Sequence, residues 1–143
     1  MNTEKLYPQR RFLPHCMPSW VEDHSLYFIT ICALPRGYNQ LCRNKLSELL
    51  WKSVLYREKL EYWLVHYFLF MPDHLRGIFS FNAIYGLENS ITLWKRYTAS
   101  RFDIKWQRDF FDHRLRSDES LEHKIEYISM NPVRKGFVEK AED

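Results

Sequence analysis

Long apolar runs are missing from this chain of 143 residues. The longest, Tyr62 to Met71, is interrupted by His66 and is too short to span a bilayer. The first residues are polar and basic and then meet Pro8 and Pro14, which leaves no room for the apolar segment of a signal peptide. Cysteine is sparse as well. Cys16, Cys32 and Cys42 are an odd number without a Cys-x-x-Cys spacing, which argues against a disulfide framework or a zinc knuckle. These absences predict a soluble, cytoplasmic protein with reduced thiols and no membrane partner. Repeats, low-complexity tracts and linkers are lacking too, so residues 25–143 are expected to form one domain behind an extended arm over residues 1–24, which holds Pro8, Pro14 and Pro18. Strong charge is also lacking: a net +3 permits a polyanionic partner but does not require one.

Aromatic residues, by contrast, are abundant at 17%, enough to build a core and leave rings for stacking on unpaired bases. The second half interleaves rings with cations. Arg96, Arg101, Lys105, Arg108, Arg114, Arg116, Arg134 and Lys135 are mixed with Trp94, Trp106, Phe110 and Phe111. A single-strand groove needs this mixture, with cations on the phosphates and rings on the bases. A solvated face beside a core would look much the same.

Hydrophobic patterning predicts six elements. Ser25 to Leu34 is β-branched and aromatic and reads as a strand, ended by Pro35-Arg36-Gly37. Asn44 is a candidate cap for a helix to about Glu58, with Leu46, Leu49, Leu50 and Val54 on one stripe. Glu61 to Phe70 is a second strand, apolar on both faces and so expected at the centre of a sheet. Met71-Pro72-Asp73 turns the chain into a third strand, His74 to Phe81, pairing antiparallel with the second. Asn89 is placed to cap a helix to about Phe102, with Ile91, Trp94 and Thr98 inward. Trp106 to Leu115 supplies a short fourth strand. The order is that of an α+β, ferredoxin-like split βαβ sandwich, an antiparallel sheet with helices on one face. A further helix, from Ser117-Asp118-Glu119 to about Met130, is stopped by Pro132.

Two motifs carry candidate chemistry. In Met71-Pro72-Asp73-His74-Leu75-Arg76, strand alternation puts His74 and Arg76 on one face with Ile78 and Ser80, and Leu75, Phe79 and Phe81 on the other. A histidine two residues after His74 would converge with it on a metal ion. Arginine has no lone pair to offer. A guanidinium about 5 Å from a divalent ion would cost roughly 6 kcal/mol at an effective dielectric of 20. Arg76 must therefore turn away from an ion or replace it as the positive clamp on phosphate. Taken alone, His74 reads as a hydrogen-bonded strand-end histidine.

On the last helix, Tyr127 and Asn131 are four residues apart and share one side. At about 100° per residue, Tyr127 lies well off the apolar stripe of Leu121, Ile125 and Ile128, at the rim. A rim phenol can attack a phosphodiester. An amide one turn on can complete a metal site. His123, one turn earlier, is a further candidate ligand. Taken singly, Tyr127 reads as a packing residue and Asn131-Pro132 as a helix stop.

In series, Met71-Pro72-Asp73-His74-Leu75, then Trp106 to His113, then Tyr127-Ile128-x-x-Asn131-Pro132-Val133-Arg134-x-Gly136, the chain resembles the REP-associated tyrosine transposases, a bacterial branch of the single-tyrosine HUH superfamily. Tyr27-Phe28-Ile29-Thr30 and Trp94-Lys95-Arg96-Tyr97-Thr98 fit as well, so the likeness spans about residues 18–140. It implies a ferredoxin-like fold, Mg²⁺ or Mn²⁺, and single-stranded DNA with hairpin repeats as partner. The implied reaction is attack by tyrosine that leaves a 5′-phosphotyrosine and a free 3′-hydroxyl, in a monomer or a homodimer. The resemblance makes Tyr127 the nucleophile and His74 and Asn131 metal ligands, with Arg76 where a second histidine is expected. Arg76, Lys95, Arg96, Trp106, Arg108 and Arg134 are the expected DNA contacts. The alternative is a catalytically impaired relative that binds DNA hairpins. An unrelated nucleic-acid module of the same fold finds no RNP-like aromatic signature to support it.

Overall fold

A computed structural model describes residues 18–115. Its elements are β1 (Tyr27–Cys32), α1 (Leu46–Lys59), β2 (Trp63–Met71), β3 (His74–Phe81), α2 (Leu87–Phe102) and β4 (Phe111–Arg114). The strands form one sheet in the order β2-β3-β1-β4, and every pairing is antiparallel. The βαββαβ order with β3 inserted beside β1 is the split βαβ arrangement expected from the sequence. The expected C-terminal helix, with His123 and Tyr127, and Asn131 and Arg134 at and beyond its end lie outside the described residues, as do residues 1–17 of the arm. The part of the arm that is described is docked: Val21 bridges Asn82, and the Trp20 carbonyl accepts from Ala83 N–H.

Strand alternation divides the sheet into two faces. Ile29, Ile31, Val65, Phe68, Phe70, Leu75, Phe79 and Phe81 pack with Leu50 and Val54 of α1 and with Ile91 and Trp94 of α2. Both helices therefore cover this one face. The indole N–H groups of the two buried tryptophans are satisfied, Trp63 by the Val54 carbonyl at 3.0 Å and Trp94 by Ser53 Oγ at 2.9 Å. The second face carries Phe28, Leu69, Met71 and Ile78 in a smaller cluster with Leu115. His74, Arg76 and Ser80 belong to this second face, as the alternation required.

Several local expectations need correction. β2 is an edge strand, not a central one. It is apolar on both sides because the helices cover one side, while Val21, Trp20 and Leu26 gather around Leu64 on the other. Its free edge is partly blunted: Glu58 Oε2 accepts the Val65 N–H at 2.9 Å beside a bulge at His66. Asn44 does not cap α1. It and Lys45 both have positive φ, and Lys45 is the cap residue without a side-chain bond. Leu49 points to solvent, because α1 buries the Ser47, Leu50, Val54 line instead. Asn89 lies inside α2, which starts after Gly86, whose φ of 78° suits glycine. Ile91, Trp94 and Thr98 do face inward.

Candidate functional site

The turn between β2 and β3 is where the structure concentrates polar interactions. Asp73 Oδ1 accepts from His74 Nδ1 at 2.8 Å. Asp73 Oδ2 accepts from Arg36 Nε at 2.9 Å and from the Gly37 amide at 2.7 Å. The backbone reinforces this clamp: the amides of Gln40 and Leu41 both donate to the Pro72 carbonyl, and Ala33 N–H donates to the Asp73 carbonyl. The loop after β1 is thereby tied to the strand turn that presents His74. Burial opposes ionisation of Asp73. The bonds from Arg36, Gly37 and His74 outweigh it and hold the carboxyl well below the usual carboxylate range.

His74 is almost fully buried, and its Nε2 has no hydrogen-bond partner. Burial pushes its pKa down, the Asp73 carboxylate opposes that, and the positive charges of Arg76 and Arg36 add to the lowering. A neutral imidazole is the result. Because the ionised carboxylate can only accept, the Nδ1 carries the proton and Nε2 carries a free lone pair. A carboxylate on one ring nitrogen that fixes the other as a lone-pair donor is the usual support of a ligating or proton-accepting histidine. Such an unpaired buried atom calls for an explanation.

Arg76 stands two residues along on the same face. Its Nε is also buried without a partner. Its guanidinium carbon lies 6.0 Å from the centre of the Phe28 ring, and Phe28 is opposite Ile78. Arg76 thus leans along the sheet away from His74, which is opposite Cys32. Cys32 Sγ accepts from Arg36 Nη1 at 3.1 Å.

The other expected DNA contacts that are described gather elsewhere. Lys95, Arg96, Trp106 and Arg108 line one open cavity of about 410 Å³ with Thr92, Ala99, Ile104, Lys105 and Gln107. It lies between α2 and the segment before β4, on the helix-covered side. Trp106 pairs with Ala33, and Ala33 belongs to the helix-side core. The indole N–H of Trp106 bonds Thr98 Oγ1 at 2.9 Å, and its ring packs 5.4 Å from that of Trp94. Lys95 Nζ donates to the carbonyls of Gln107 and Arg108 at 2.8 and 2.9 Å. Its pKa is lowered by burial. Geometry therefore makes Lys95 a strut for the loop and Trp106 a half-buried packing ring. Arg96, Lys105 and Arg108 are the exposed cations of the groove. The structure thus sorts the expected residues onto two surfaces: His74 and Arg76 on the second face, the groove behind the sheet.

Nothing local in the sequence points to this clamp. Asp73 reads there only as a turn residue. Arg36 is 37 positions away, and nothing local linked the two.

Comparisons with known proteins follow the same direction. No protein-family model matches the chain. Over 38 residues it is 45% identical to a putative REP-associated tyrosine transposase of Haemophilus influenzae, covering 27% of this chain and 22% of that protein. Over 78 residues it is 28% identical to the REP-associated tyrosine transposase of Escherichia coli K12, covering 51% of this chain and 46% of that protein. The matches thus span less than half the length of these curated relatives. The fold is shared with a solved REP-associated tyrosine transposase bound to a REP hairpin, with a TM-score of 0.73 at 18% identity over 87% of this chain and 76% of that one. The resemblance to REP-associated tyrosine transposases therefore holds in sequence over parts of the chain and in fold over most of it.

Proposed function

We propose that this chain recognises single-stranded DNA bearing a hairpin and acts on it as a strand transferase, with Tyr127 as the attacking group. The carrying observation is the free lone pair of His74, buried and oriented by Asp73 on a central strand of a fold shared with a hairpin-bound transposase. Most buried polar side-chain atoms have a hydrogen-bond partner, and His74 Nε2 has none among the described residues. In the proposed step the Tyr127 oxygen forms a bond to phosphorus and the bond to the 3′-oxygen breaks. The phenolic proton ends on that oxygen, giving a 5′-phosphotyrosine and a 3′-hydroxyl. Exposed Arg96, Lys105 and Arg108 give the groove on the other side of the sheet a surface for phosphates of the same strand.

The implied divalent ion can be tested against the donor set. His74 suits it. Among the described residues, the remaining charged groups beside His74 are guanidinium ions and an Asp73 whose two oxygens are already engaged. No three His, Cys, Asp or Glu side chains converge among the described residues. By themselves these donors do not fit a dication, and no step above is routed through one. Arg76 also favours a second reading, in which the protein binds hairpins without transferring strands.

The test is a covalent adduct on a denaturing gel after incubation with hairpin-bearing single-stranded DNA, in Mn²⁺ and in EDTA. The unaltered chain should form the adduct and Tyr127→Phe should abolish it. An adduct that survives Tyr127→Phe removes that residue from its role. Hairpin binding without any adduct establishes the second reading. Binding indifferent to hairpin structure overturns both.

A further inference from the structure

We propose that Arg76 holds a DNA phosphate directly, with no divalent ion between them, and that the exposed ring of Phe111 receives the neighbouring base. The inference rests on the DNA reading above but not on strand transfer.

Register places the two groups in one row across the sheet. Arg76 is opposite Thr30, and Thr30 is opposite Phe111 on its other side. Cross-strand partners present side chains to the same face, so Arg76, Thr30 and Phe111 all belong to the second face. Two strand spacings separate the outer pair, about 10 Å. Phe111 is 59% exposed at the β4 edge, and its ring meets that of Phe28 edge-on at 6.5 Å. An exposed phenyl supported from behind by a second ring is a stacking platform.

Arg76 itself lacks a counter-ion. No carboxylate pairs with it among the described residues, its Nε is buried without a partner, and its neighbours across the strands are Thr30 and Leu69. Arg36 shows the contrast, since its guanidinium is occupied by Asp73 and Cys32. A partly buried cation whose partner among the described residues is an aromatic face, the Phe28 ring, and not an anion is conspicuous. A guanidinium fork matches two oxygens of a phosphodiester. A cation whose charge already acts on His74 also repels a dication at that imidazole. The site therefore takes the anion itself where a histidine pair would take a metal. His74 remains beside it with one lone pair, able to accept a hydrogen bond from a hydroxyl group.

The test uses the full chain and two readouts. Anisotropy of a labelled hairpin-bearing oligonucleotide should give affinities in EDTA and in Mn²⁺ within about twofold of each other. Arg76→Gln should weaken binding by about tenfold or more, as expected for a hydrogen-bonded charge pair. It should also lower the slope of affinity against salt by about one. Phe111→Ala should weaken binding to the unpaired segment while leaving that slope unchanged. Circular dichroism confirms that each variant is folded, and Arg76→Lys, which keeps the charge but not the fork, should fall between. Separately, Mn²⁺ titration followed by electron paramagnetic resonance should show no site in the unaltered chain and one in Arg76→His. Mn²⁺ binding by the unaltered chain, DNA binding abolished by EDTA, or an Arg76→Gln variant with unchanged affinity and slope overturns the inference and leaves the hairpin reading standing. Failure of the unaltered chain to bind hairpin DNA in either buffer overturns both.

Discussion

Gly77→Ala will destabilise the protein by about 2–4 kcal/mol, through overpacking at a site that cannot relax. A Cβ at this position would lie 2.7 Å from Phe79 Cε1, 2.9 Å from the Tyr67 carbonyl oxygen and 3.2 Å from Phe68 Cδ2. The second contact is backbone of the neighbouring strand, next to the bulge at His66. The first is a ring hemmed in by Trp63, Phe68 and Phe81. Moving either would open the pairing of β2 with β3 or displace three other rings. Propensity alone would favour alanine over glycine in a strand, so the sign of the change tests the packing argument. The expected drop in melting temperature is on the order of 10 °C. A midpoint within a degree or two of the unaltered protein would show that β2 and β3 can separate freely here.

Asp73→Ala should cost about 2–4 kcal/mol and should also release His74 from its orientation. The substitution removes the acceptors of three donors: Arg36 Nε, the Gly37 amide and His74 Nδ1. The imidazole is the most affected, because His74 is buried and its N–H would be left without a partner. Arg36 is about half exposed and water can replace its bond, so it contributes little. Asp73→Asn keeps an acceptor for one donor and should lose less.

The same cluster sets an acid sensitivity. Asp73 has a folded pKa below its unfolded value near 4, so its contribution is complete above about pH 4 and is lost as pH falls below it. His74 is likewise shifted down from its ordinary 6.5, so the fold favours the neutral ring and loses stability as pH falls below about 6.5. Both slopes have the same sign. Denaturant midpoints should decline from pH 7 toward pH 3, with the step below pH 4 missing in Asp73→Ala. A profile flat across that range would mean that the clamp is open in solution. The change should also weaken any chemistry at Nε2, whichever group that lone pair serves.

Some of this was legible in the sequence because it is local. A period of two along His74 to Phe81 assigns Leu75, Phe79 and Phe81 to one face and His74, Arg76, Ile78 and Ser80 to the other, whatever surrounds the strand. The spacing of Ile91, Trp94 and Thr98 likewise fixes the buried side of α2. The short turn at Pro72-Asp73 forces β2 and β3 to pair antiparallel. Other features were illegible for equally physical reasons. β2 reads as a central strand because both its sides are apolar, and only its neighbours reveal that it lies at the edge. The bonds that tie Lys95 to the loop and Trp106 to Thr98 were not legible, because a cation next to a ring looks the same whether it faces solvent or braces a loop.

The sequence by itself determined the order of the described elements, the two faces of β3, the buried side of α2 and, through its series of motifs, the family likeness. Only the tertiary structure decided that Arg36 reaches Asp73 across 37 positions, that Asp73 leaves His74 with a bare lone pair, and that Arg76, without a carboxylate partner among the described residues, stands in a row with Phe111. Periodicity acts over one or two turns of chain. Pairing and charge compensation depend on which distant segments close upon one another, and that follows from the register of the sheet.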